Sequence, residues 1–287
     1  MSTQNDPDLV VVGADGSWQS QKAVRAAARE AATSGSPLLL LTVAAGELAA
    51  GGLAQLRRME EDAMVLAHAT SQRAVQLVGA HPDLRVDSAV VGATDAPELD
   101  AVVDRTRLLV LGDHGRRGEA AFATGSTSAA LARRFRSPVL LPRLYGGMTD
   151  PGPDRSATVH VGLGARRDES DLLRLAARQA ANRGSDLVVL HAVPVTHDAA
   201  REREALEAAW RAVRLVPECE EVTCRLEVVR GDPVGALLDR CGPDDVLVVG
   251  TRGGGTLAGL VRGSVARGVL DGLPCDVIVV PPWARVT

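Results

Sequence analysis

The chain has 287 residues, a length that favours two compact domains over one because a domain commonly holds about 100–200 residues. Hydrophobic residues make up 46% and charged residues 24%, which is typical of a globular protein and too apolar for a disordered one. The net charge is −4 and aromatic residues are only 2%, so nucleic acid is not expected as a partner. Lys22 is the only lysine and lies outside a G-x-x-x-x-G-K-[ST] frame, which excludes the P-loop NTPases.

No segment has the pattern of a targeting signal or a membrane span. The amino terminus lacks a charged region followed by an apolar one, and no uncharged apolar run approaches about 18 residues. The cysteines form no C-x-x-C pair and have no nearby histidine pair, so we expect free thiols and no metal site. These features predict a cytoplasmic protein that does not bind a membrane.

The same pattern of elements occurs twice along the chain. Apolar runs predict strands buried on both faces at 9–12, 38–43, 86–91, 108–111 and 139–141, with helices at 17–34, 53–78, 96–105 and 126–135. The strand pattern recurs at 159–161, 187–192, 224–229, 246–249 and 277–280, and the second copy is the shorter one in its middle. Alternating strands and helices predict an α/β protein with two tandem, doubly wound, five-stranded parallel-sheet domains.

A segment rich in glycine and proline separates the two copies. Residues 144–156 carry three Gly and two Pro without periodicity, which is typical of a linker. We therefore assign residues 1–143 to the first domain and 157–287 to the second. The last strand of each copy is apolar and would form an exposed edge on its own. We expect these strands to join the two domains as a pseudo-dimer within the chain, with a homodimer of whole chains as a further arrangement.

Each half carries the glycine motif G-x-x-G-x9-G-[ST] after its fourth strand. In the first half, Gly112 and Gly115 let the backbone approach a ligand, while Gly125 and Ser126 open the next helix with unpaired N–H groups that favour anions. The second copy consists of Gly250, Gly253, Gly263 and Ser264. Such glycines can also serve only a tight turn, but two copies at identical spacing favour a loop that binds phosphates.

In combination, these features resemble the ATP-binding, tandem-domain form of the universal stress protein family. The resemblance is carried by residues 11–17 with the Ala-rich helix behind them, both glycine motifs, and the last strands after Ser137 and Pro274. Because it recurs in both halves, it covers nearly the whole chain except the tail and the linker. It implies a Rossmann-like, adenine nucleotide alpha hydrolase-like fold. It also implies ATP, with or without Mg²⁺, as the ligand, and a nucleotide-dependent regulatory role in a stress response.

The resemblance also implies which residues bind the adenine nucleotide. Asp15 falls at the position that holds the ribose, and Val43 at the position beside the adenine. The full set is Ala14, Asp15, Val43, Leu111, Gly112, His114, Gly115, Gly125, Ser126 and Thr127 in the first half, and Gly250, Gly253, Gly263, Ser264 and Val265 in the second. Because the counterpart of Asp15 is Gly164, we expect tight binding in the first half and weak binding in the second.

No residue is predicted to be catalytic. A loop histidine such as His114 is more often a solvent-facing or backbone-bonded group than a catalytic one, and no Asp or Glu cluster beside the loops forms a Walker-B-like site. We therefore expect ATP turnover to be slow or absent. Two alternatives stay open: a slow nucleotide hydrolase or nucleotidyl-transfer enzyme of related α/β architecture, and a partner-binding protein with vestigial nucleotide loops.

Overall fold

The computed structural model describes residues 9–44, 65, 68–76, 78–79, 83–92, 96–112, 137–143, 157–164, 169–251, 264–272, 275–282, 284 and 286. The chain divides into two compact units, one ending at Pro142 and the other extending from Arg143 to Val286. Each unit is a parallel sheet with helices between its strands, so the α/β prediction is confirmed. None of the described helices is long and apolar enough to cross a membrane.

The described part of the first unit has five parallel strands. They are β1 (Leu9–Gly13), β2 (Leu38–Ala44), β3 (Val86–Gly92), β4 (Thr106–Val110) and β5 (Val139–Leu141). The described helices are α1 (Trp18–Ser34), residues 68–76, and α2 (Ala96–Arg105). The strand order is β3-β2-β1-β4-β5, which is the doubly wound arrangement expected from right-handed crossovers.

The second unit repeats this architecture. Its strands are β6 (Val159–Leu163), β7 (Leu187–Val193), β8 (Cys224–Arg230), β9 (Val246–Gly250) and β10 (Asp276–Val280). Its described helices are α3 (Ser170–Arg183), α4 (Ala199–Arg214), α5 (Pro233–Leu238), α6 (Ser264–Gly272) and the 3-10 helix Pro217–Glu220. The strand order β10-β9-β6-β7-β8 matches the first unit strand for strand.

The strand boundaries show where the second copy is shorter. In the first unit the second strand begins at Leu38 and the third at Val86, whereas the corresponding strands of the second unit begin at Leu187 and Cys224. The second of these intervals is the shorter one. The missing length therefore lies on the connection that contains the helix 68–76 in the first copy and α4 in the second.

Burial follows each strand's place in the sheet. Leu38, Leu40, Val11 and Leu109 in β2, β1 and β4 are wholly buried, as expected for strands covered on both faces. The expectation of burial on both faces is wrong for β3 and β8. These edge strands have one neighbour each, and nearly all of their described side chains are half-buried or exposed.

Helix boundaries follow from local chemistry. Ser17 caps α1 by accepting a hydrogen bond from the Ser20 N–H, and Gly35 ends it with a left-handed φ of 66°. The predicted helix at 96–105 is confirmed. Of the predicted helix at 53–78, the structure describes residue 65 and the segment 68–76, and the predicted helix at 126–135 lies outside the described residues.

Asp245 joins the starts of the two central strands of the second unit. Its carboxylate accepts hydrogen bonds from the N–H of Thr158 (2.9 Å), just before β6, and from the N–H of Gly242 (2.7 Å). The buried imidazole of His160 lies 3.3 Å from the same carboxylate, Nε2 to Oδ2. These contacts fix the register of β6 against β9, in which Val159 pairs with Val246. All four cysteines are free, as expected from the sequence.

Candidate functional site

Strand order places a crevice at the carboxyl ends of the central strands. In the second unit, β6 lies between β7 and β9, and the connections on its two sides run in opposite directions. In open α/β sheets, ligands bind outside the strand ends at such a reversal. The structure has a cavity of about 700 Å³ at this place, lined from the ends of β6, β7, β9 and β10. This volume is within the range of small-molecule sites, about 300–1,000 Å³.

The walls of the cavity are mainly apolar. The described lining side chains belong to the second unit, and include Leu163, Leu172, Leu190, Val229, Leu237 and Val249. Titratable side chains also line the cavity, namely Glu169, Asp171, His191 and His197. A mainly apolar site with a few placed polar groups is the usual form of a small-molecule pocket.

The polar groups are held by local contacts. The Nδ1 atom of His191, on β7, lies 3.2 Å from the carbonyl oxygen of Leu163 on β6, which orients the ring. The backbone N–H of His197 donates to the carbonyl of Pro194 at 3.0 Å and closes the turn after β7. The carboxylate of Asp171 accepts a hydrogen bond from the guanidinium of Arg174 at 2.6 Å.

The second glycine motif begins at the cavity wall. Gly250 ends β9 and lines the cavity, and a Cβ there would meet Leu172 at an ordinary 3.6 Å. Ser264 is the first residue of α6, and Val265, the next residue, also lines the cavity. Gly253 and Gly263 lie outside the described residues. The structure thus brings the first residue of the motif and the residue just after it to one cavity.

Glu169 is a cavity residue that sequence reasoning missed. It lies just before α3, and its two carboxylate oxygens are 3.1 and 3.0 Å from the N–H of Gly164, at the end of β6. Gly164 is the counterpart of Asp15, so the sequence comparison left this strand end without a carboxylate. The sequence carries no signal for this contact, because it depends on where α3 begins and on a side chain that turns back to β6.

In the first unit, Asp15 lies in the turn between β1 and α1. Its Oδ1 accepts hydrogen bonds from both the N–H (2.9 Å) and the hydroxyl (2.6 Å) of Ser17, the residue that caps α1. Ala14 is buried, and its N–H donates to the carbonyl of Leu41 at the end of β2. Asp15 itself is exposed, so the turn presents a carboxylate at the carboxyl end of β1.

Of the other residues predicted to bind the nucleotide in the first unit, the structure describes Leu111, Val43 and Gly112. Leu111 is wholly buried after β4. Val43 is in β2 and pairs with Val91. A Cβ on Gly112 would lie 2.9 Å from backbone atoms of Gln19, so close packing on α1 accounts for this glycine without a ligand. His114, Gly115, Gly125, Ser126 and Thr127 lie outside the described residues.

The fold and the cavity together define a class of protein. The chain is a tandem α/β protein with two Rossmann-like units, and its second unit has a cavity of about 700 Å³ at the reversal of strand order. Comparison with known proteins gives the family. The chain belongs to the universal stress protein family, whose model matches residues 8–143 and again residues 158–281.

Relatives match over nearly the whole length. A universal stress protein of Mycobacterium tuberculosis strain H37Rv is 30% identical over 297 aligned residues, which cover 97% of this chain and 99% of the relative. One from Mycolicibacterium smegmatis is 28% identical, with 95% and 97% covered. The crystal structure of a universal stress protein from Archaeoglobus fulgidus has the same fold, with a TM-score of 0.67, 16% identity, and 98% and 99% of the two chains covered.

Proposed function

We propose that the chain is an ATP-binding universal stress protein whose nucleotide occupancy controls its conformation or its choice of partner. The observation that carries this proposal is the cavity of the second unit, where the glycine motif begins at the reversal of strand order. The walls suit the parts of an adenine nucleotide. Apolar side chains can hold the base, and polar groups at the strand ends can fix the sugar.

The phosphates would lie on the side of the glycine motif. Gly250 and Val265, the second residue of α6, both line the cavity. Backbone N–H groups at the start of a helix favour anions, and α6 has no acidic residue in its first turn. In the first unit we assign the corresponding roles to Asp15 and the first glycine motif.

Calorimetric titration of the full chain with ATP tests the proposal. Ala205 of α4 lines the cavity, whereas Ala208 on the same helix is exposed. Ala205→Trp should fill part of the cavity and remove binding to the second unit, and Ala208→Trp should leave ATP binding unchanged. Circular dichroism confirms that both variants are folded. If the two variants bind ATP like the parent chain, the cavity is not the nucleotide site.

A further inference from the structure

We infer that Glu169 binds the vicinal hydroxyls of a ribose in the cavity of the second unit, and thereby fixes the direction in which a nucleotide lies there. This inference rests on the proposed function, because it assumes that the cavity takes a nucleoside or nucleotide. Glu169 would then supply the carboxylate that Gly164, the counterpart of Asp15, lacks.

The carboxylate of Glu169 lies beside Gly164, at the end of β6. A Cβ on Gly164 would lie 3.0 Å from Oε1 of Glu169, closer than ordinary van der Waals contact. The carboxylate of Glu169 therefore occupies the space into which a side chain at position 164 would project. Both residues line the cavity. A carboxylate is thus present at the end of the first strand in each unit, from Asp15 in one and from Glu169 in the other.

The Glu169 carboxylate can reach the end of β6 because of where α3 begins. The helices α1 and α3 end at matching positions of the repeat, Gly35 and Gly184. In the same alignment Trp18, the first residue of α1, matches Arg167, but α3 begins only at Ser170. The second helix thus starts later, and Glu169 is left as the residue before it. The Glu169 side chain makes no capping hydrogen bond to α3 and turns back to β6 instead.

The chemistry of a carboxylate decides which part of the ligand it meets. An ionised carboxylate only accepts hydrogen bonds and has about four acceptor positions, so it can accept from several donors at once, the N–H of Gly164 among them. Two neighbouring hydroxyls donate to it well, whereas a phosphate is repelled. Acidic residues hold ribose hydroxyls in the same way in dinucleotide-binding folds. The ribose therefore lies at Glu169, and the phosphates point away from it, toward Gly250.

The test compares two ligands that differ only in the hydroxyls. Adenosine and 2′,3′-dideoxyadenosine are titrated into the full chain, and binding to this cavity is followed by the NMR signals of the His191 and His197 imidazoles, assigned with His→Gln variants. The intact chain should bind adenosine about ten- to a hundredfold more tightly, the usual effect of a hydrogen bond to a charged group. Glu169→Gln should bring the ratio close to one. Glu207→Gln, at an exposed carboxylate of α4 that is not among the residues lining the cavity, should keep it.

A second variant guards against a general loss of structure. Gly164 is not among the glycines with a left-handed φ, so its backbone accepts a side chain once Glu169 is shortened. The double substitution Gly164→Asp with Glu169→Ala should restore the preference for adenosine that Glu169→Ala alone loses.

Each other outcome overturns the inference. If dideoxyadenosine binds the intact chain as well as adenosine, or Glu169→Gln keeps the preference, the inference fails while the proposed function stands. If neither adenosine nor ATP changes the imidazole signals, both fail for this unit.

Discussion

Replacing Asp245 with asparagine should loosen the second unit and leave the first unchanged. The Asp245 carboxylate accepts two backbone N–H groups, from Thr158 and Gly242, at 2.9 and 2.7 Å. Only 17% of its side chain is exposed, so water cannot easily replace the lost partner. Because Thr158 leads into β6 and Asp245 into β9, the perturbation acts on the two strands whose far ends form the cavity.

The magnitude follows from the number of hydrogen bonds lost. A hydrogen bond to a charged group contributes about 1.5–3 kcal/mol. Asparagine keeps one acceptor oxygen and loses the other, so we expect a loss of about 2 kcal/mol in the free energy of unfolding. Asp245→Ala removes both acceptors and should cost about 3–6 kcal/mol.

Hydrogen exchange followed by mass spectrometry separates the two units. A loss of about 2 kcal/mol should speed exchange of the slowest amides in β6 and β9 roughly 30-fold, while peptides from β1 and β4 serve as an internal reference. Asp239→Asn, at the exposed end of α5, is the matched control and should change nothing. Unchanged exchange in β6 and β9, or equal acceleration in both units, would refute the reasoning.

The same contacts predict how the effect depends on pH. Burial acts to raise the pKa of Asp245, but hydrogen bonds from His160 and from the N–H groups of Thr158 and Gly242 outweigh it and hold the pKa below its ordinary value. A lowered folded-state pKa contributes stability above the unfolded-state pKa, and this stability is lost as the pH falls through the folded-state pKa. The ratio of exchange rates between Asp245→Asn and the parent should be constant above about pH 5 and shrink below about pH 4. A ratio that grows on acidification contradicts this account.

Further substitutions test packing and activity. Gly112→Ala should destabilise the first unit by about 1–3 kcal/mol, because the new Cβ would lie 2.9 Å from the backbone of Gln19. Urea unfolding measures this loss, and an unchanged midpoint would argue against the contact. Gly268→Ala would place a Cβ 2.8 Å from both methyl groups of Val234. The double variant with Val234→Ala should therefore lose less unfolding free energy than the two single variants together. Strict additivity of the two losses would contradict the contact. ATP hydrolysis should stay well below about 1 s⁻¹, and faster turnover in a coupled phosphate assay would show that the chain is an enzyme. Asp15→Ala should weaken ATP binding at one site in calorimetry and leave the response of the cavity imidazoles intact; loss of both sites would contradict separate binding.

Most of the fold was predictable because parallel strands in the middle of a sheet are buried on both faces. Such strands require uninterrupted apolar runs, and runs such as 38–43 and 187–192 coincide closely with β2 and β7. The edge strands β3 and β8 carry charged residues, Asp87 in one and Arg225 and Glu227 in the other. These charges indicate an exposed face, but the prediction from apolar runs alone did not take them into account.

The site was less predictable because it depends on contacts between distant atoms. In the alignment that pairs Asp15 with Gly164, Glu169 aligns with Ser20, a residue within α1, and nothing there indicates a carboxylate beside Gly164. Its role depends on the later start of α3 and on a side chain that turns back toward the preceding strand. Gly112 shows the opposite case. The motif predicts a close approach to a ligand, but a close approach to the Gln19 backbone produces the same requirement for glycine.

The central claim is that the cavity of the second unit holds an adenine nucleotide in a fixed direction. A crystal structure of the full chain grown with ATP tests it most directly. We expect the base among the apolar walls, ribose hydroxyls about 3 Å from the carboxylate of Glu169, and phosphates on the side of Gly250 and α6. A cavity that stays empty at saturating ATP, or phosphates placed against Glu169, would contradict it.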